Sequence, residues 1–127
     1  YFKGEEWRTQ RRVHELLKKH YTTEADGIPG NDDAGTMSAW AVFNMMGFYP
    51  DCPGEPAYTL STPVFDKVTI KLDPKYWGRD QLVIETERPS AESLYIREME
   101  LGGKKLSRYR ITHEELVQSG KLRFSLR

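Results

Sequence analysis

The sequence predicts an α+β fold in which helices come first and strands follow. In the first third of the chain apolar residues recur with a helical period, and beyond a proline-rich segment they alternate with polar residues. This segregated order is typical of α+β domains. The 127 residues fit one domain of ordinary size, within which we assign 1–50 to helices, 51–57 to a linker and 58–127 to an antiparallel β subdomain.

Two helices are predicted before the linker. The first should run for about four turns, because an apolar stripe recurs at helical spacing with basic residues between its members. The stripe consists of Val13, Leu16, Leu17, His20 and Tyr21. The second helix, 36–47, is apolar nearly all round, so it must be covered on most sides to be stable in water. One partner helix cannot cover it, which leaves oligomerisation or the neighbouring helices of a larger protein. We expect a hydroxyl within 36–38 to accept its first free N–H groups.

The β half is predicted to form an antiparallel sheet or a small sandwich. Residues 50–56 contain three prolines and a glycine, which interrupt helix and strand alike. Alternating runs then predict strands, two of which flank Gly102-Gly103 as a hairpin, since both turn positions need positive φ. These runs are 67–72, 82–84, 94–101, 104–110 and 122–126. Thr112 and Glu115 form a capping-box pattern that opens a short helix, and Gly120 ends it.

Composition argues against several classes of function. Equal counts of basic and acidic residues, 19 each, leave no net field to attract nucleic acid or an anionic membrane. No run approaches the roughly 18 apolar residues that a membrane helix needs. Cys52 is the single cysteine of the sequence, so an intramolecular disulfide is excluded.

The best candidate for a site is the glycine-flanked acidic loop, 29–35, which leads into the second helix. Asn31, Asp32 and Asp33 are adjacent in it. Two carboxylates this close repel each other, so one can be held with a raised pKa or both can be neutralised by a cation. Hard oxygen ligands of this kind suit calcium. From the residues alone, ordinary turn and cap chemistry stays an open alternative.

Other candidates are weaker. His14, His20 and His113 lack metal-ligand spacing relative to one another. Tyr76 and Trp77 lie in a polar segment and could form an exposed platform for a sugar, although we expect an ordinary packing role for them.

A longer pattern begins at the acidic loop and carries a resemblance. The pattern reads Pro29-Gly-Asn-Asp-Asp33-x-Gly35-x-x-Ser38-Ala-Trp40, then Gly47-Phe-Tyr-Pro50, Pro53-Gly54 and Pro63-x-Phe-Asp-Lys-Val68. It extends over roughly forty residues in fixed order and resembles the C-terminal signature of glycoside hydrolase family 92. The strands that follow also resemble the closing β region of those enzymes, which are calcium-dependent, exo-acting α-mannosidases.

The resemblance implies a fold and an activity. Family members join an N-terminal β-sandwich to an (α/α)6 barrel, so residues 1–50 would be the terminal helices of that barrel and 58–127 the strands that follow it. The enzymes release terminal mannose, most often α-1,2 linked, with inversion and with calcium bound to sugar hydroxyls. Family habit also suggests a bacterial enzyme that is periplasmic or extracellular.

The same resemblance assigns roles in the acidic loop. It implies that Asp33, with Asp32 as its neighbour, supplies the general base, that Asn31 helps hold metal or substrate, and that Asp33 contributes to the calcium site. The family's general acid is a glutamate outside this chain, so we expect the isolated chain to be inactive. Its partners would be a mannose-containing glycan and the remainder of the parent enzyme. Ala34 and Ala41 depart from residues that are common in the family.

A second interpretation belongs to a different class of function. The chain could be a self-standing carbohydrate-binding or interaction module, in which the β half presents Tyr76 and Trp77 to a sugar. Such a module would have no need of an acidic loop or of a helix that is apolar all round.

Overall fold

A computed structural model describes residues 4–127 of the chain, and it contains helices and two sheets, as the α+β prediction requires. The helices are α1 (Glu6–His20), α2 (Thr36–Met46), α3 (Pro74–Trp77) and α4 (His113–Ser119), and a 3₁₀ turn covers Asp33–Gly35. The strands are β1 (Phe48–Tyr49), β2 (Ala57–Leu60), β3 (Lys67–Lys71), β4 (Gln81–Glu87), β5 (Ile96–Leu101), β6 (Lys104–Leu106), β7 (Arg110–Thr112) and β8 (Lys121–Leu126). No helix within residues 4–127 is long and apolar enough to cross a membrane.

The strands form two sheets, and one pairing differs from the prediction. The larger sheet has the order β3-β4-β8-β5-β6 and the smaller one the order β1-β2-β7. Every neighbouring pair is antiparallel except β4 and β8, which are parallel. The prediction of a wholly antiparallel β region is therefore wrong. Parallel pairing needs a long crossover, and the chain between β4 and β8 supplies one by building three other strands and α4.

The turn and capping predictions of the β half are confirmed. Gly102 and Gly103 join β5 to β6 with φ of +58° and +78°. Thr112 Oγ1 accepts from the Glu115 N–H at 3.1 Å, and the Glu115 carboxylate accepts from the Thr112 N–H at 2.8 Å. The predicted second hairpin arm is shorter than expected, because the chain leaves the larger sheet after Leu106 and pairs with the smaller sheet as β7.

Helix α1 is held against the β half by two polar contacts. Gln10 is 1% exposed, and its side-chain oxygen accepts from the Ile96 N–H at 3.0 Å. His14 Nε2 lies 3.0 Å from the Thr62 carbonyl oxygen and donates to it. Hydrophobic periodicity does not reveal these two contacts, since both residues are polar.

The C-terminal end of α2 is fixed to the β half, and this attachment positions the acidic loop at its other end. The Val64 N–H donates to the Met45 carbonyl oxygen and the Ser61 N–H to the Gly47 carbonyl oxygen, both at 2.9 Å. Gly47 adopts φ +94° and turns the chain directly into β1, whose Phe48 is 3% exposed in the common core. Within residues 4–127 the helix is covered only in part, since Val42 remains 53% exposed.

Replacement of Gly47 by alanine should destabilise the fold more than an otherwise similar replacement. Gly47→Ala places Cβ 2.6 Å from the Pro63 ring at positive φ, so we expect a loss of about 2–4 kcal/mol in the free energy of unfolding. Gly54→Ala is the matched control, because φ is +83° there but no atom lies within 4 Å, and it should cost about 1 kcal/mol. Urea unfolding measures both values, and equal losses would contradict the account of this contact.

Stability should fall in mild acid because of His14. Burial lowers the pKa of His14 below its ordinary value of 6.5, and the charge of Arg88 adds to this effect, whereas the hydrogen bond to Thr62 opposes it. The folded state therefore disfavours protonation of His14. The contribution of neutral His14 to the free energy of unfolding is complete above about pH 6.5 and is lost as the pH falls through the lowered pKa. His14→Gln keeps a neutral donor, and its unfolding free energy should decline less between pH 7 and pH 5 than that of the wild type.

Candidate active site

The chain reaches the acidic loop through a tight reversal after α1. The Thr22 N–H donates to the Gly27 carbonyl oxygen and the Gly27 N–H to the Glu24 carbonyl oxygen, both at 3.0 Å. A Cβ at Gly27 would lie 2.3 Å from the Thr22 carbonyl oxygen, so only glycine fits this position. The reversal brings the acidic loop back toward α1.

A strained turn separates the two aspartates from α2. The Gly35 N–H donates to the Asp32 carbonyl oxygen at 2.9 Å, which closes the 3₁₀ turn. Ala34 has φ +54° and Gly35 has φ +78°, so two successive residues are left-handed, and Ala34 is the one non-glycine residue with positive φ among those described. Thr36 Oγ1 also donates to the Asp33 carbonyl oxygen at 2.6 Å. The backbone of this turn is thus fixed on both sides of Ala34.

Asp32 caps α2 from outside the helix. Its carboxylate accepts from the Ser38 N–H at 2.9 Å and from Ser38 Oγ at 2.5 Å. The predicted cap by a hydroxyl is therefore wrong, because the Ser38 hydroxyl donates and a carboxylate before the helix accepts. The Ser38 hydroxyl, followed by the Ser38 and Met37 N–H groups, lowers the pKa of Asp32. A raised pKa, one outcome expected for adjacent carboxylates, does not occur at Asp32.

Asp33 has different surroundings from its neighbour. Its side chain is exposed, and within residues 4–127 no group donates a hydrogen bond to its carboxylate. Asn31 is exposed as well. Asp33 and Asn31 are therefore free to contact a molecule outside this chain, whereas both oxygens of Asp32 are engaged.

The described residues do not complete a calcium site on their own. Calcium takes about six to eight oxygen ligands. Asp33 and Asn31 offer oxygens of the right kind, but between residues 4 and 127 no three His, Cys, Asp or Glu side chains converge to hold a metal ion.

An apolar groove lies beside the loop, between the end of α1 and the start of α2. It encloses about 330 Å³, and Pro29 and Thr36 bring the loop to its edge. Tyr21 and Trp40 stack along it with ring centroids 5.6 Å apart and planes inclined by 18°. Burial raises the pKa of Tyr21, and the nearby charge of Asp32 adds to this effect. Trp40 is half-buried in the wall of this groove.

Tyr76 and Trp77 form a separate exposed pair on α3. Tyr76 is 76% exposed, so the packing role expected for it is wrong, and Trp77 is 43% exposed. The Trp77 ring contacts His113 edge-on, with centroids 5.0 Å apart. Among the described residues, no hydrogen bond or ring contact joins this pair to the acidic loop.

Comparison with known proteins identifies the class. The family model described as the glycosyl hydrolase family 92 catalytic domain matches residues 1–127. An uncharacterised secreted glycosidase from Arthroderma benhamiae is 34% identical over 117 residues, which cover 91% of this chain and 15% of that protein. The chain belongs to glycoside hydrolase family 92, which confirms the family that the sequence resembles.

Solved structures of mannosidases share the fold. A family 92 α-mannosidase from Bacteroides thetaiotaomicron, in complex with mannoimidazole, matches with a TM-score of 0.85 and 30% identity over 97% of this chain and 16% of that one. An inverting family 92 mannosidase from the same organism matches with a TM-score of 0.82 and 39% identity, over 95% of this chain and 16% of that one. The chain thus spans about one sixth of the length of these relatives.

The strain at Ala34 predicts opposite effects of the same substitution at two positions. Ala34→Gly removes the cost of a left-handed alanine, about 1–2 kcal/mol, and loses part of that gain through a more flexible unfolded chain, so it should stabilise by up to about 1 kcal/mol. Ala39→Gly, at an exposed position inside α2, is the matched control and should destabilise by about 1 kcal/mol. Urea unfolding measures both, and destabilisation by both variants would show that Ala34 is not strained.

Proposed function

We propose that this chain is the part of a longer, inverting exo-α-mannosidase that carries the general base, and that Asp33 is that base. The observation that carries the proposal is the unequal engagement of two adjacent carboxylates. Asp32 uses both oxygens on Ser38, whereas the exposed Asp33 carboxylate receives no hydrogen bond from any described residue. Membership of family 92 and the likeness to a mannosidase described as inverting support the reaction class.

The proposed chemistry needs a carboxylate that can take a proton from water. In an inverting glycosidase a general base activates a water molecule on the face of the sugar opposite the leaving group, while a general acid protonates the departing oxygen. Asp33 is able to act as the base because its side chain reaches solvent. Asp32 is a poorer choice, since its hydrogen bonds to Ser38 stabilise the charged form and lower its pKa.

The general acid would come from another part of the longer enzyme. The two carboxyl groups of an inverting enzyme stand about 6.5–9.5 Å apart, which leaves room for the water. In this proposal the terminal helices of an (α/α)6 barrel end with α2, and the remaining barrel helices and an N-terminal sandwich complete the sugar pocket. The isolated chain would then be inactive. The exposure of Val42 on α2 supports the presence of further neighbours.

Substrate, metal and location extend the proposal. We propose that Asn31 contacts substrate, that terminal α-1,2-linked mannose of a glycan is released, and that Asp33 and Asn31 add oxygens to a calcium site completed by groups outside residues 4–127. Secretion to the periplasm or the extracellular space would agree with the relative described as a secreted glycosidase. A self-standing carbohydrate-binding module has weaker support, because the match to a catalytic domain covers the whole chain.

Replacement of Asp33 should strongly slow the hydrolysis of an α-mannoside by the full-length enzyme. Loss of a general base lowers the rate by about 10²–10⁴-fold, so we expect a loss of kcat in that range for Asp33→Ala. Initial rates of mannose release, with calcium present and with calcium chelated, measure the effect.

Asp26→Ala is the matched control, because Asp26 is an exposed aspartate of the same connecting segment outside the acidic loop. It should leave kcat unchanged. Full activity of Asp33→Ala would remove Asp33 from the chemistry, and activity that survives chelation unchanged would reject the calcium part of the proposal. Turnover by the isolated 127-residue chain would reject the view that it needs the rest of the enzyme.

A further inference from the structure

Ser38 and Asp32 are joined by two hydrogen bonds from one residue to one carboxylate. The Ser38 N–H donates to Oδ1 at 2.9 Å, and Ser38 Oγ donates to Oδ2 at 2.5 Å. Both groups are partly buried, unlike the exposed side chain of Asp33. The arrangement ties the residue before the 3₁₀ turn to the first turn of α2.

Three attachments together define where Asp33 lies. The Asp32 carboxylate is tied to Ser38, the Asp32 carbonyl oxygen accepts from the Gly35 N–H, and the Asp33 carbonyl oxygen accepts from Thr36 Oγ1. All three act on backbone or on Asp32, and none of them uses the Asp33 carboxylate. The loop therefore fixes the position of Asp33 and leaves its side chain free.

We propose that Asp32 and Ser38 are a positioning pair that holds Asp33 at the place from which it acts. This inference rests on the proposed function, because it assumes that Asp33 is the base. Asp32 itself makes no contact with substrate and transfers no proton. It acts through its two hydrogen bonds with Ser38. In the sequence, Ser38 is one of two hydroxyl residues within 36–38 and a member of the pattern that carries the resemblance.

The inference predicts that an amide can replace the Asp32 carboxylate. In Asp32→Asn the side-chain oxygen still accepts from the Ser38 N–H, and the amide nitrogen can donate to Ser38 Oγ, which has lone pairs to accept. A residue that works by its negative charge, as a second general base does, would lose its function on this change. Asp32→Asn thus distinguishes positioning from direct chemistry.

The experiment measures kcat and KM of the full-length enzyme on an α-mannoside. We expect Asp32→Asn to keep kcat within about 10-fold of the wild type, whereas Asp32→Ala should lose about 100-fold, since displacement of a catalytic group by about 1 Å costs that much. The loss should fall on kcat and leave KM nearly unchanged, as for a contact that matters in the transition state.

Ser38 supplies the second arm of the test. Ser38→Ala should also lower kcat, and Ser38→Thr, which keeps the hydroxyl, should restore it. Ser119→Ala is the matched control, because it removes a partly buried hydroxyl that donates to the Leu116 carbonyl oxygen at 2.9 Å in α4. That variant should leave kcat and KM as they are.

The outcomes separate this inference from the proposed function. If Asp33→Ala is inactive and Asp32→Asn is equally inactive, Asp32 takes part in the chemistry and the positioning inference fails alone. Unchanged kinetics of both Ser38→Ala and Asp32→Ala, with Asp33→Ala inactive, would also overturn it alone. Full activity of Asp33→Ala would instead overturn the proposed function on which the inference rests.

Discussion

The hydrogen bonds between Ser38 and Asp32 are the constraint on which the acidic loop depends, because they connect the loop to a helix that is itself fixed at its far end. Two backbone hydrogen bonds to 61–64 and the turn at Gly47 attach α2 to the β half. The acidic loop is thereby connected through α2 to the core that contains Phe48. The chain obtains a rigid support for an exposed carboxylate from one short helix.

Asp32 and Asp33 are adjacent in the sequence, but their side chains have different surroundings in the structure. A helix N-terminus carries free N–H groups that a nearby carboxylate can accept from, and here the Asp32 carboxylate accepts from the Ser38 N–H. Once Asp32 fills that role, the left-handed turn at Ala34 and Gly35 leaves Asp33 on the solvent side. The exposed Asp33 carboxylate keeps lone pairs free, as a general base needs, whereas both oxygens of Asp32 accept hydrogen bonds from Ser38.

The sequence predicted those parts of the fold whose signals are local. The Thr112 capping box, the Gly102-Gly103 turn and the alternating strands depend on neighbours a few residues apart, and the structure confirms them. Contacts between residues far apart in the sequence could not be predicted from these local patterns. Gln10 is buried against Ile96 although it is polar, and the parallel pairing of β4 with β8 depends on the path of the whole β half.

The candidate site shows the same limit. The acidic loop was predicted from composition and from the resemblance, but the hydrogen bonds from Ser38 to the Asp32 carboxylate were not. A capping residue normally lies within three positions of the N–H that it binds, whereas Asp32 precedes Ser38 by six, because a 3₁₀ turn intervenes. A left-handed alanine gives no sequence signal, so the turn could not be foreseen.

The most direct test of this account is a crystal structure of the full-length enzyme with a non-hydrolysable α-mannoside bound. The account predicts a water molecule within hydrogen-bond distance of the Asp33 carboxylate, on the face of the sugar opposite the leaving group, with Asp32 still bound to Ser38. A structure in which Asp32 had left Ser38 to bind that water, or in which Asp33 faced away from the sugar, would contradict it.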